Sequence, residues 1–212
     1  MGKGISGWLK DFFYVGPTPV PKPDGTPSYP LYTERLLLRP PLAGDFNALY
    51  EMHSREDVAR LMLWEPWTME DTQTHLARDM KSPSFACRAA NLSLVMVRRD
   101  SNALIGDINL HWADRQGSLG FALHPYHQGY GYATEAAELM LLLGFKHLHL
   151  HRIQSQCNAR NEPSYRLMER LGMRREGLSI ECWFIKGEWW DTLTYAILER
   201  EWEARQQAAN NQ

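Results

Sequence analysis

A glycine turn lies directly before an alanine-rich helical pattern, and no other stretch restricts the fold of this chain as much. The ten residues 127–136 read HQGYGYATEA. Because Gly129 and Gly131 carry no Cβ atom, backbone N–H groups in the turn can close on phosphate oxygens. The helix that follows directs its positive end at the same point. The pattern predicts a site for a phosphorylated cofactor.

The spacing of the glycines separates this turn from other phosphate-binding loops. A dinucleotide-binding fold has GxGxxG after a strand, and a P-loop has GxxxxGK followed by Ser or Thr. The turn fits neither pattern. Gln128-x-x-Gly131-x-Ala133 instead resembles the pyrophosphate loop of the GNAT superfamily of N-acetyltransferases, which bind acetyl-coenzyme A (acetyl-CoA) there.

Three further segments resemble the branch of this superfamily that includes the ribosomal-protein N-terminal (Rim-type) acetyltransferases, and they follow in the same order. They are the run Thr33–Pro40 with Asp45 after it, the motif Asn158-x-x-Asn161-x-x-Ser164 leading into Leu171-Gly172-Met173, and a closing hairpin with Glu176-Gly177, Glu181, Gly187, Asp191 and Tyr195. The resemblance covers about residues 31–202. It implies the α/β (α+β) GNAT fold, in which helices flank a mixed, largely antiparallel sheet with a central splay between two strands.

The resemblance also implies where acetyl-CoA binds. In GNAT folds the backbone of the earlier splayed strand pairs with the pantetheine arm as if the arm were another strand. Carried over by position, the expected cofactor-binding residues are Phe121, Ala122, Leu123, Gln128, Gly129, Tyr130, Gly131, Ala133, Thr134, Asn161 and Ser164.

Acetyl transfer from a thioester to an amine requires a neutral amine, a polarised carbonyl and stabilisation of the departing thiolate. By resemblance, backbone N–H groups near Leu123 polarise the carbonyl and Ser164 lies near the sulfur. Tyr165 is the rival catalytic candidate, since other members of the superfamily use a tyrosine in this helix. Neighbouring residues on a helix point about 100° apart, so only one of the two is expected to face the sulfur.

The general base is the least defined part of the predicted site. The branch often carries a glutamate two residues before the glycine of the third meander strand, and here that position is Ser118. Four other residues are candidates: Asp107, His111, Glu65 and Glu181. Glu181 matches a recurrent acidic position of the closing hairpin, whereas the neighbouring Ile180 stands where relatives commonly carry arginine. These departures keep the acceptor open.

The missing carboxylate favours one kind of acceptor. At neutral pH, deprotonating a lysine amine of pKa about 10.4 costs roughly 4.6 kcal/mol, whereas an α-amine near 7.8 costs only about 1 kcal/mol. We therefore expect an N-terminal α-amine or another low-pKa amine, on a protein or a small molecule. Succinyl-CoA or another short acyl-CoA as donor, and a non-catalytic CoA-binding regulatory module, are alternatives.

Composition excludes several other classes of function. The formal net charge is −2, with 23 basic and 25 acidic residues, so no broad attraction to DNA is expected. Three widely spaced cysteines suit reduced thiols in the cytoplasm. We expect no membrane span, no secretory signal and no metal, and surface or structural roles for His147, His149 and His151.

The chain divides into an apolar and proline-rich extension (1–30), the acetyltransferase domain (31–202) and a polar C-terminal tail (203–212). Helices are predicted at about 45–55, 69–80 with Thr68 as N-cap, 133–145 and 163–171; strands are predicted at 33–39, 92–98, 104–112, 117–123 and 152–157.

Tryptophans in two segments have two readings each. Residues 63–67, between the first two predicted helices, either wall the acceptor pocket or belong to the core. Trp183, Trp189 and Trp190, near the hairpin end, either form a homodimer contact or cover the core.

Overall fold

The computed structural model describes residues 26–81 and 85–210. Its strands are β1 (Leu31–Tyr32), β2 (Leu36–Arg39), β3 (Ala89–Arg98), β4 (Leu104–Ala113), β5 (Gln116–Leu123), β6 (Arg152–Asn158), β7 (Arg174–Ile185) and β8 (Glu188–Leu198). Its α-helices are α1 (Phe46–His53), α2 (Glu56–Ala59), α3 (Met69–Asp79), α4 (Tyr132–Leu142), α5 (Glu162–Arg170) and α6 (Glu199–Asn210).

All eight strands belong to one sheet in the order β1–β2–β3–β4–β5–β6–β8–β7. Neighbours are antiparallel except β5 and β6, which pair in parallel over only three residues, Gln116–Ser118 with Arg152–Gln154. Helix α4 lies between β5 and β6 in the chain, as a parallel crossover requires. The predicted fold class, a largely antiparallel sheet flanked by helices, is confirmed.

Helices cover both faces of the sheet because the strand side chains alternate between two apolar surfaces. In β3, Leu94 and Met96 belong to the large core cluster that includes the buried face of α4. Val95 and Val97 point the other way and pack with Leu49 of α1 and with a leucine of α3. A strand buried on both faces reads as a nearly continuous apolar run, which explains the sequence SLVMV within β3.

Most predicted elements are confirmed within a few residues of their expected ends. Thr68 caps α3: its hydroxyl accepts from the N–H of Asp71, and the Asp71 carboxylate accepts from the N–H of Thr68. The strand predicted at 33–39 is shorter in the structure, where only Leu36–Arg39 (β2) is extended. Residues 33–35 form the turn between β1 and β2, and the hydroxyl of Thr33 accepts from the N–H of Leu36. The four-residue helix α2 was not predicted, because one helical turn has no measurable apolar period.

The boundaries at the two ends of the domain can be compared with the structure only in part. Residues 1–25, which include most of the predicted extension, lie outside the described residues. Thr26 is buried, and its hydroxyl accepts a hydrogen bond from the N–H of Phe85. At the other end, α6 runs through the boundary drawn at residue 202, and Trp202 is buried in the core.

None of the helices in the described ranges is both long enough and apolar enough to cross a bilayer.

Candidate active site

Strands β5 and β6 separate immediately after their short parallel pairing. Their last paired residues are Ser118 and Gln154, whereas β5 remains paired with β4 as far as Leu123. Residues 119–123 therefore have a strand neighbour on one side only. At about 3.3 Å per residue this open edge is roughly 13 Å long. The predicted splay is present.

The splay opens into a cavity of about 620 Å³. Its lining includes residues of β5, the glycine turn, the start of α4 and the start of α5. All the expected cofactor-binding residues line it, namely Phe121, Ala122, Leu123, Gln128, Gly129, Tyr130, Gly131, Ala133, Thr134, Asn161 and Ser164. The tertiary structure thus brings the sequence motifs to one cavity.

The glycine turn has the backbone geometry of an anion cradle. Gly129 and Gly131 have φ angles of +83° and +84°, in the left-handed region that glycine adopts without a Cβ clash. Within the described part of the chain, the N–H groups of Gly129, Tyr130 and Gly131 donate to no protein acceptor. They lie before the first turn of α4, where a helix presents its partial positive charge. This end of the cavity therefore presents unpaired N–H donors, the arrangement that suits an anion.

Side chains fix the turn from two directions. The side-chain amide of Gln128 donates a 3.1 Å hydrogen bond to the backbone carbonyl of Leu123, which ties the turn to the end of β5. From the other side, Arg35 donates to the carbonyl of Tyr130 at 2.8 Å and to the Glu135 carboxylate at 2.7 Å. These bonds hold the unpaired N–H groups in place before any ligand arrives.

Two arginines also line the cavity, and the sequence pattern did not predict either. Arg170 of α5 donates to the Thr134 hydroxyl at 3.4 Å, and Arg60 follows α2. Neither forms an ion pair with a carboxylate of the described residues. A cation without a carboxylate partner, close to a helix N-terminus, suits a phosphorylated ligand. The sequence could not show this, because the partners of an arginine depend on the tertiary contacts.

Ser164 and Tyr165 point to different places, as their 100° separation on the helix predicts. The Asn161 side chain caps α5 by accepting from the N–H of Ser164 at 3.3 Å, and both side chains line the cavity. Ser164 also hydrogen bonds to the Cys157 thiol; burial raises the pKa of that thiol and this bond opposes the rise. Tyr165 lines a separate shallow depression with Glu169 and Tyr195. The geometry favours Ser164.

A second cavity, of about 390 Å³, lies between strands β3 and β4 and helices α1 and α3. His53 and Asp107 meet there with 2.5 Å between Nε2 and Oδ2. The His53 ring stacks on Trp67 at 3.9 Å, and Trp67 stacks on His75 at 4.2 Å. Burial, followed by the charge of Arg78, lowers the pKa of His75, so this ring is neutral at pH 7.

Comparison with known proteins agrees with this geometry. Residues 35–174 match the family described as Acetyltransferase (GNAT) domain. The uncharacterized N-acetyltransferase YnaD of Bacillus subtilis (strain 168) is 37% identical over 172 residues, which are 80% of this chain and 97% of the relative. The chain belongs to the GNAT acetyltransferase family.

Solved structures extend the likeness of this GNAT acetyltransferase. A GNAT-family acetyltransferase from Bacillus anthracis is 36% identical, with a TM-score of 0.71 over 79% of this chain and 96% of that one. The spermidine N-acetyltransferase of Vibrio cholerae, solved with CoA and spermine, is 23% identical with a TM-score of 0.69 over 79% and 98%; at this identity the likeness shows the fold alone. The putative ribosomal N-acetyltransferase YdaF of Bacillus subtilis is 31% identical over 104 residues. The resemblance to the Rim-type branch is confirmed, and this protein is an N-acetyltransferase.

The base candidates of this acetyltransferase lie in different places. Glu181 is exposed on the edge strand β7, where its N–H donates to Asp191, and it is not among the residues that line either cavity. Glu65 is also exposed, in a shallow depression beside α2. His111 and Asp107 both line the second cavity, and His111 lies directly opposite Ser118 in the register of β4 and β5. The structure thus separates Glu181 from the two candidates on β4.

The tryptophans divide between the core and the surface. Trp64 and Trp67 are half-buried and line the second cavity. Trp190 is buried, whereas Trp183 and Trp189 are 54% and 59% exposed. Across residues 26–81 and 85–210, no group of three or more His, Cys, Asp or Glu side chains is arranged to hold a metal ion.

Proposed function

We propose that this acetyltransferase uses acetyl-CoA as its donor, with the pantetheine arm along the open edge of β5 and the diphosphate on the glycine turn. The observation that carries the proposal is the coincidence of two features. A strand edge of five residues has no partner on one side, and unpaired N–H groups lie at its end. Phe121, Ala122 and Leu123 are the residues whose backbone would pair with the arm.

The chemistry of the cavity fits a phosphorylated ligand with a long polar arm. N–H groups of the glycine turn donate to the diphosphate, and Arg170 adds a cation beside it. Asn161 and the open edge of β5 present hydrogen-bonding groups along the way. Acetyl-CoA, when bound, supplies an activated acetyl group, and the chain supplies position, N–H donors and proton transfer.

Ser164 is proposed to stabilise the departing thiolate. Its side chain lines the cavity at the first turn of α5, next to the Asn161 cap, which supports this role. Tyr165 faces another depression, so it is the weaker candidate, and the exposed Glu181 lies outside both cavities.

The acceptor is proposed to be a primary amine, either the N-terminal α-amine of a protein or a small-molecule amine of low pKa. Relatives of this chain include proteins named spermidine N(1)-acetyltransferase and putative ribosomal N-acetyltransferase, so the names of relatives point to both small-molecule and ribosomal acceptors. The usual carboxylate at Ser118 is missing. This absence matters least for an acceptor that is cheap to deprotonate.

Two measurements test this function. Calorimetry with CoA is expected to show saturable binding to one site per chain, and an acetyl-CoA-dependent panel is expected to show faster acetylation of peptide α-amines than of lysine side chains. Succinyl-CoA in the same panel tests the acyl group. If the protein has no affinity for CoA, the proposed donor site is wrong. If it binds CoA but acetylates no amine, it is a regulatory module. If it acetylates α-amines and lysine side chains at equal rates, the proposed acceptor preference is wrong.

The setting is proposed from the cysteines and the surface. Cys87, Cys157 and Cys182 are all free thiols, which suits the reducing cytoplasm. The exposed Trp183 and Trp189 on the β7–β8 hairpin favour a homodimer through this hairpin. Sedimentation of the wild type beside a Trp183→Ser, Trp189→Ser variant tests it, and two identical monomeric profiles would overturn it.

A further inference from the structure

The second cavity contains side chains whose polar atoms the protein itself leaves unpaired. His53 is only 2% exposed, and its Nδ1 has no hydrogen-bond partner in the described residues; the same holds for the buried Nδ1 of His75 and Nε1 of Trp64. Buried polar atoms without a partner are rare in proteins and mark a place where water or a ligand is expected. Three of them surround this one cavity.

We propose that this cavity receives the acceptor amine, and that Asp107, oriented by His53, is the group that removes the proton from its ammonium form. The inference rests on the proposed amine acetyltransferase function and adds the residue that replaces the carboxylate missing at Ser118. His53 is a positioning residue, because its Nε2 meets Oδ2 of Asp107 at 2.5 Å and thereby orients the carboxylate.

Asp107 is the carboxylate of this cavity that is free to act. Its side chain is 25% exposed, and its other oxygen accepts no hydrogen bond from the described residues. Asp79, on α3, is instead paired with Arg78 at 2.6 Å. Burial and the charge of Arg78 lower the pKa of His75, so its ring is neutral at pH 7. An ammonium group entering the cavity therefore meets a carboxylate that no arginine or lysine of the described residues pairs with, and the Trp64 ring lies beside it.

The register of the sheet places Asp107 close to the proposed thioester. Asp107 lies directly opposite Ala122, the middle residue of the proposed pantetheine-binding segment. Two interstrand spacings, about 10 Å, separate β4 from an arm lying beside β5. The two cavities are neighbours, since Val58 and Met62 of the first pack in one cluster with Trp64 of the second. This distance exceeds a single hydrogen bond, so the proposed transfer of the proton to Asp107 runs through water.

The step balances without any further reactant. The N–H bond of the ammonium breaks, and the proton passes through water to the Asp107 carboxylate. The freed electron pair forms the C–N bond to the carbonyl carbon, and the C–S bond breaks. A second N–H bond of the nitrogen, which is now cationic, breaks, and this proton reaches the thiolate through Ser164 or solvent. Asp107 returns the first proton to solvent. The products are the amide and CoA.

The first experiment compares two kinds of acceptor in Asp107→Asn, which keeps the size of the side chain and removes its charge. With the best alkylamine, kcat/KM is expected to fall by about 10²-fold to 10⁴-fold, the range typical of a lost base. With an aromatic amine, which is uncharged at neutral pH, the loss is expected to stay below about tenfold. CoA affinity, measured by calorimetry, is expected to stay within about twofold of the wild type.

Matched variants separate this role from its neighbours. Asp114→Asn changes an exposed carboxylate directly after β4, outside both cavities, and is expected to retain kcat/KM within about threefold. His111→Gln changes the other base candidate on β4 and tests whether the loss belongs to that residue instead. Equal losses on the alkylamine and the aromatic amine in Asp107→Asn, or a loss confined to His111→Gln, would overturn the proposal. A wild type that binds no CoA or acetylates no amine would instead overturn the proposed function itself.

The positioning role of His53 is tested by two replacements with opposite merits. His53→Gln keeps an N–H donor for Asp107 and loses the flat ring, whereas His53→Phe keeps the stack on Trp67 and loses the donor. The proposal expects His53→Gln to retain at least tenfold more alkylamine activity than His53→Phe. The reverse order would show that His53 only packs. This pair also decides the matter if Asp107→Asn does not fold.

Discussion

The hydroxyl of Ser155 donates a 2.8 Å hydrogen bond to the backbone carbonyl of Leu119, one residue beyond the last parallel pair of β5 and β6. Both residues are buried. The splay leaves the Leu119 carbonyl, the first one beyond the parallel pairing, without a strand partner. The Ser155 side chain supplies the missing hydrogen bond at the apex of the splay, the point where β5 and β6 separate. The position of the splay is therefore built into β6.

Ser155→Ala is expected to destabilise the apex. The change leaves the Leu119 carbonyl buried and unpaired, which costs about 1–3 kcal/mol in the free energy of unfolding. Urea unfolding measures this cost, and CoA titration shows whether the open edge is disturbed. Ser179→Ala, on the exposed edge strand β7, is the control and is expected to change the free energy of unfolding by less than about 0.5 kcal/mol. Equal stability of the two variants would contradict the role of Ser155.

Gly131→Ala is expected to weaken CoA binding about tenfold or more. Alanine at a φ of +84° is strained by about 1–3 kcal/mol, and the turn can relieve that strain only by moving its N–H groups away from the diphosphate. Calorimetry with CoA gives the affinity. Gly177→Ala serves as the control, since this glycine has no positive φ and open space around it. Unchanged affinity in Gly131→Ala would mean that the turn does not hold the diphosphate.

Ser164→Ala is expected to lower kcat by about 10²-fold while CoA affinity changes less than about twofold, because a proton donor acts mainly in the transition state. The variant also loses the bond that lowers the pKa of Cys157, so this pKa is expected to rise, as thiol-reaction rates across pH would show. Tyr165→Phe is the matched control, with wild-type kcat expected. A large loss in Tyr165→Phe and none in Ser164→Ala would reverse the assignment.

Arg170→Ala is expected to raise the Kd for CoA about tenfold, since hydrogen bonds to charged groups contribute about 1.5–3 kcal/mol. The difference from wild type is expected to shrink at high salt, because a partly exposed charge is screened. Arg166→Ala is the control on the same helix, where the arginine pairs with Glu162 and Glu169 on an exposed face. If both variants bind CoA equally well, Arg170 has no contact with a phosphate.

Asp45→Asn is expected to lower Tm at pH 7 and to lose this effect in acid. Burial raises the pKa of Asp45, but hydrogen bonds from Arg39 and from the N–H of Leu42 lower it by more, so the pKa lies below its usual 3.8. The stability it contributes is therefore complete above about pH 4 and disappears as the pH falls through the lowered pKa. Tm values of both proteins between pH 7 and pH 2 are expected to converge at the acid end. A constant difference would contradict the ion pair as the cause.

The cofactor half of the site could be predicted from sequence because its chemistry is local. A positive φ, an N-cap or an unpaired N–H depends on a few consecutive residues, so the glycine turn, the Asn161 cap and Ser164 are recognisable from the order of the residues alone. Every residue predicted to bind the cofactor lines the first cavity. Arg170 was not predicted, since only the approach of α5 to α4 brings it beside Thr134.

The acceptor half depended on tertiary structure. His53 and Asp107 are 54 residues apart and belong to elements with no common motif, so nothing in the local pattern relates them. Glu181 matched a family position but lies exposed on β7, the strand at the edge of the sheet, where nearly every side chain is exposed. The alternation of side chains along one strand is a local property. Packing of the whole chain decides which strand lies beside it and which helix covers it. The sequence by itself therefore determined the family and the phosphate turn, and the fold alone decided which distant side chains share the second cavity.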